Sequence, residues 1–276
     1  MSALMTGLFM VLAFNAVFLL ICFGVVRLLP GSFLGKPAKA VLAWLPPFMG
    51  GEALRSWAAA RTKQVAQERL VGKRTGRTAV QVAKNIEEGA MRAMLPFVSP
   101  LELARVITCP EAGLGKICVT APKVFAISDY LRTHMPPGEL ERIHDAAVEN
   151  AKTIASRVSD VGDQLPLPCP LQGEGHMCCV YAVRPLRCRL RHEISIASAL
   201  RTATAESRAE APDDARHERT VASGVELGLT RALESAGLDA EVYELNSALA
   251  TALGTPDAAE RWAKGERVFH TPLSVH

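Results

Sequence analysis

Residues 169–189 read CPLQGEGHMCCVYAVRPLRCR, a stretch that holds four of the chain's seven cysteines together with the breakers Pro170, Gly173, Gly175 and Pro185. Gly173 and Gly175 between Cys169 and Cys178 let the chain fold back on itself, and Cys188 returns after Arg184-Pro185, so the spacing aims several sulfurs into one loop. An earlier segment uses the same pattern: Cys109-Pro110, then Gly113 and Gly115, then Cys118-Val119. Six cysteines in two related loops are a pattern that thiolate metal sites produce and that isolated packing cysteines do not. On this reading Cys169, Cys178 and Cys188 are metal ligands, with Cys118 or Cys109 completing the set. Cys179, directly beside Cys178, is the weakest candidate of the six. Thiolates hold zinc and they hold iron or iron–sulfur clusters, so both cofactors stand as expectations.

The run Cys178-x-x-Tyr181-x-x-Arg184-Pro185-x-x-Cys188-Arg189, preceded by Cys169-Pro170-Leu171, resembles the signature of the YkgJ-type cysteine-cluster family, also called CxxCxxCC proteins. Val119-Thr120 with Val124, Ile127 and Tyr130-Leu131 is similar to that family's segment after its first cysteine group, and Leu245-Asn246-x-Ala248-Leu249 and the stretch from Pro256 to Trp262 resemble its helical tail. The resemblance implies a zinc- or iron-chelating protein. In this chain the compact first cysteine group is reduced to Cys109 and Cys118. A flagellin-lysine methylase resembles the same family in its cysteine cluster, and from it comes the rival expectation of an iron–sulfur redox or methyl-transfer-related enzyme.

Working outward, composition favours helix: 49% of the 276 residues are hydrophobic but only 5% aromatic, with alanine and leucine prominent. A net charge of +3 does not mark a nucleic-acid binder, and no haem-attachment, HExxH, dinucleotide-binding or nucleophile-elbow motif occurs. Residues 3–26, ALMTGLFMVLAFNAVFLLICFGVV, are almost uninterrupted apolar sequence, and about 20 such residues cross a bilayer. No Lys or Arg precedes the run, as one would before a cleaved signal, while Arg27, Lys36 and Lys39 follow it. The expectation is a single-pass anchor in the inner (cytoplasmic) membrane, N-terminus out and body in the cytoplasm. Cys22 lies in this apolar run and reads as a packing residue.

Three divisions follow: an anchor over 1–29, basic amphipathic juxtamembrane helices over 30–100, and a helical cysteine-cluster domain over 101–276. Within the second, Arg55, Arg61, Lys63, Arg69, Lys73, Arg74 and Arg77 are opposed by Glu68, which suits anionic lipid headgroups as a partner or, since the charges are spread around the helix, a solvated helix face. Gly72 to Gly76 reads as a turn. Val82, Ile86, Ala90 and Met94 mark the inner face of one helix, and Leu140, Ile143, Ala147, Ile154 and Val158 that of another. Further helices are expected over 123–131, 215–235 and 239–253, with Gly237 and Gly254 as C-caps and Trp262 packed on the body. The expected fold class is therefore mostly α, with one N-terminal transmembrane helix and a helical domain stapled by cysteine-rich metal-binding loops. The expected function is that of a membrane-anchored metal-binding accessory or assembly protein, working with a membrane-protein partner or complex and not with nucleic acid.

Overall fold

A computed structural model describes residues 51–94, 117–156, 167–186, 188 and 213–270. Seven helices carry this part of the chain: α1 Gly51–Leu70, α2 Gly76–Met94, α3 Ala121–His134, α4 Pro137–Ser156, α5 Asp213–Ser235, α6 Leu245–Gly254 and α7 Ala258–Ala263. Two three-residue strands, β1 Cys118–Thr120 and β2 Val242–Glu244, pair antiparallel in the register Cys118 to Glu244, Val119 to Tyr243 and Thr120 to Val242.

The body forms because each helix has an apolar stripe and a neighbour to cover it. On α1, Leu54, Ala58, Thr62, Ala66 and Leu70 recur every fourth residue and are all buried. They meet α5, where Gly224 and Gly228 sit one turn apart. A Cβ on Gly224 would collide with the Arg55 carbonyl and stand 2.7 Å from Ala58 Cβ; one on Gly228 would collide with the Ala59 carbonyl and stand 2.8 Å from Thr62 Cβ. The two helices touch backbone to backbone because those positions have no side chain. Val82, Ile86 and Ala90 of α2 are buried as their spacing predicts.

α3 lies deepest. Ala121, Val124, Ala126, Ile127 and Leu131 have no exposed surface, and Phe125 stacks at tilted angles on Trp262 (5.9 Å between ring centres) and Phe269 (5.4 Å). Tyr243 joins the group 5.0 Å from Phe269. This aromatic centre fixes the short C-terminal helix α7 to the body, since Trp262 is fully buried.

Helix ends follow their sequence signals in part. Gly237 takes φ +66° and Leu238 N–H returns to the Leu233 carbonyl at 2.9 Å, the left-handed closure that glycine permits. Gly254 does not cap: it is the last residue of α6, and the cap is Thr255. Nor does a helix begin at Asp239. Residues 242–244 extend as β2 to pair with β1, and Glu244 then caps α6 by accepting from Ser247 N–H at 2.9 Å.

The expected fold class is corrected at its metal staple, while its helical character stands. No described helix is long and apolar enough to cross a membrane. The described helices carry charges on their outer faces, and α6, which has none, is 10 residues long. The apolar run 3–26 lies outside the described residues. Nor do the cysteine loops form a metal staple: among the described residues no three His, Cys, Asp or Glu side chains stand together to hold an ion. The helices close instead around one continuous hydrocarbon core, in which Cys178 and Cys188 are packing members.

Candidate metal centre

The main cysteine loop is built from hydrogen-bonded turns. Gln172 N–H donates to the Cys169 carbonyl (3.0 Å), Gly173 N–H to the Met177 carbonyl (2.8 Å) and Cys179 N–H to the Leu171 carbonyl (3.0 Å), which makes residues 171–179 a small hairpin. Its tip, Glu174–His176, is a 3₁₀ turn with Gly175 at φ +62° and His176 at φ +61°. Glycine occupies that region freely; histidine is held there, its Nδ1 at 2.9 Å from Gln172 Nε2. A second 3₁₀ turn, Tyr181–Val183, reverses the chain, after which Cys188 N–H donates to the Pro185 carbonyl at 2.9 Å.

The cysteines occupy three kinds of place. Cys178 and Cys188 are 8% and 5% exposed and lie in the core beside Leu171, Val180 and Val183. Cys169 and Cys179 are half-buried against it. Cys118 is half-buried on β1 and lines a cavity of about 90 Å³ between α2, α3, α5 and the Pro185-Leu186 bend. All five are thiols. Cys109 lies outside the described residues, as do Cys22 and Arg189.

Burial pushes the Cys179 thiol up to about 12, and the neighbouring Cys178 and Glu139 add to the effect while Arg142 opposes it. A thiol held in its protonated form is a poor ligand, because metals bind the thiolate. Arg184 is fully buried, and its Nη2 donates to the Cys188 carbonyl at 3.2 Å, so this guanidinium braces the main chain of the cysteine segment.

Sequence reasoning missed the polar chain that joins the two cysteine segments. Cys118 is paired in register with Glu244, a carboxylate only 3% exposed. Glu244 Oε1 accepts from Asn246 Nδ2 at 2.6 Å, Asn246 Oδ1 accepts from Asn150 Nδ2 at 3.0 Å, and Asn150 Nδ2 also donates to the carbonyl of Pro168 at 2.8 Å. Pro168 immediately precedes Cys169. The chain therefore runs from the register partner of Cys118 to the residue before Cys169 through three buried side chains, Glu244, Asn246 and Asn150, and ends on the exposed Pro168. A signal was present: Asn150 stands on the apolar face of α4, in step with Ile143 and Ala147, where an amide is retained only if it is bonded.

A second missed feature borders the cavity. Lys123 of α3, 8% exposed, is ion-paired with Glu87 of α2. A cation in the first turn of a helix opposes the helix dipole, and the carboxylate offsets it.

Comparison with protein-family models, curated proteins and solved structures returns no match. The likeness to the cysteine-cluster family rests on the motif residues themselves.

Proposed function

We propose that this chain is a membrane-tethered accessory protein whose two cysteine segments take up a soft metal ion, zinc or iron, as cargo or during assembly with a membrane partner. The observation that carries the reading is the hydrogen-bonded chain from buried Glu244, Asn246 and Asn150 to the Pro168 carbonyl, which anchors the Cys118 and Cys169 segments to one another. Soft sulfur ligands suit zinc and iron–sulfur chemistry. The described thiols are not gathered into a ligand set, and two are in the core, so uptake requires the 169–188 loop to open. Its tip, Glu174–His176, is exposed, but Leu171, Val180 and Arg184 are buried, so opening exchanges core contacts for metal–sulfur bonds. The metal is thus bound by the protein and does not hold the helical body together. The tether is the apolar run 3–26.

The test is elemental analysis and visible absorbance of anaerobically purified chain, beside a Cys169→Ser/Cys178→Ser/Cys188→Ser variant and Cys179→Ser. The expected result is zinc or iron in the parent and in Cys179→Ser, none in the triple variant, and unchanged helical circular dichroism throughout. Equal metal in parent and triple variant sinks the assignment of ligands. Sulfur-to-iron absorbance would instead favour the iron–sulfur enzyme reading.

A further inference from the structure

We infer that the turn between α1 and α2 is a lipid-contacting tip that engages the headgroups of an anionic bilayer; this rests on the membrane-tethered reading and names the surface that would meet the membrane. Residues 69–77, RLVGKRTGR, hold four cations and no acid. At their centre Val71 is 81% exposed, one of two large apolar side chains left in solvent among the described residues. The local geometry puts it there. Leu70 ends α1 facing the core at 6% exposure, Val71 N–H still bonds back to the Gln67 carbonyl at 3.1 Å, and Gly72 at φ +90° turns the chain sharply. Leu70 therefore points in and Val71 out.

The sequence offered anionic lipid headgroups or solvent as the partner of the basic stretch 55–77. The structure rules out insertion of its apolar face, because Leu54, Ala58, Thr62, Ala66 and Leu70 are taken by α5. What remains is the turn. Arg74 is tied back to the Ala236 carbonyl at 2.8 Å and braces the turn on the end of α5. Lys73 and Arg77 are exposed on either side, and α2 has no acidic residue in its first turn. Arg69 is exposed too, within reach of Asn85. Two acidic side chains beside the turn are hydrogen-bonded within the fold: Glu260 accepts from Gly76 N–H at 2.8 Å and Glu68 from Gln64 at 3.1 Å. An exposed aliphatic residue ringed by cations suits the boundary between headgroups and acyl chains, where the apolar group leaves water and each cation meets a lipid phosphate.

The experiment places the full chain in nanodiscs of phosphatidylcholine alone or of phosphatidylcholine with phosphatidylserine, and follows amide hydrogen exchange of residues 69–77. The expected result is slower exchange in the phosphatidylserine discs only, lost in 1 M salt, where the screening length falls to about 3 Å, and lost in Lys73→Gln/Arg77→Gln. Both side chains are exposed, so the variant's thermal transition should match the parent's. Val71→Ser should reduce the slowing with the cations intact. Equal exchange in both discs, or slowing that survives in Lys73→Gln/Arg77→Gln, overturns the inference. Slowing by inorganic phosphate without lipid, or only by an added protein partner, overturns it as well. If the chain fails to associate with either disc the tether is wrong, and the same exchange comparison with phosphatidylserine vesicles added to the chain still decides the tip.

Discussion

Replacing Gly228 by alanine tests the central contact of the body. An alanine Cβ there would meet the Ala59 carbonyl and lie 2.8 Å from Thr62 Cβ, whereas carbon atoms pack at about 3.5–4.0 Å. Relief requires α1 to move away from α5 by roughly 1 Å, which loosens the stripe from Leu54 to Leu70. Overpacking of this kind costs about 1–3 kcal/mol, and the better helix propensity of alanine returns about 0.5–1 kcal/mol. The net loss is then on the order of 1–2 kcal/mol, seen as a fall in Tm of roughly 2–8 °C for a body of this size. Gly224→Ala should behave alike. One displacement of α1 relieves both clashes, so the double variant should cost less than the sum of the two. Gly89, on the exposed side of α2 with nothing within 4 Å of its missing Cβ, is the control. Gly89→Ala should raise Tm, because only the propensity gain applies. The measurement is thermal unfolding by circular dichroism of all four proteins against the parent. A Gly228→Ala variant as stable as Gly89→Ala would refute the backbone contact between α1 and α5.

Asn150→Ala should destabilise the protein by about 1–3 kcal/mol, since the Pro168 carbonyl and Asn246 lose a buried donor; urea unfolding reads the loss, and faster proteolysis near residue 168 would locate it. Lys123→Met should cost about 3–5 kcal/mol by leaving Glu87 without its cation in an apolar wall, and Lys123→Met/Glu87→Leu should recover much of it; a double variant no better than the single would show that the pair is not what matters. Cys179 should resist iodoacetamide at pH 9 in the folded protein and react readily in urea, measured by peptide mass spectrometry. Because its folded pKa is raised from 9.0 to about 12, the protonated thiol contributes in full below pH 9, and that contribution is lost as pH rises from 9 towards 12. Stability should therefore fall less steeply over that window in Cys179→Ala.

Local chemistry carried much of the helical layout. The fourfold spacing of Val82, Ile86 and Ala90 set the inner face of α2, Gly237 stopped α5 through its tolerance of positive φ, and Gly175 marked the tip of the cysteine hairpin. These features were legible because each depends on neighbours within a turn or two of chain. Where the thiols would lie was not legible. Spacing tells how far apart cysteines can reach but not whether a hydrocarbon core will close over them, and here Cys178 and Cys188 became part of that core. The start of α6 was misread for a similar reason: residues 242–244 extend only because β1, distant in sequence, offers them a partner. Tertiary structure alone decided that Gly224 and Gly228 meet α1, that Lys123 finds Glu87, and that Asn150, Asn246 and Glu244 join the two cysteine segments. Each of these pairings joins residues far apart in the chain, whose desolvation is tolerated only when the partner arrives, and no periodicity in the sequence records who the partner is.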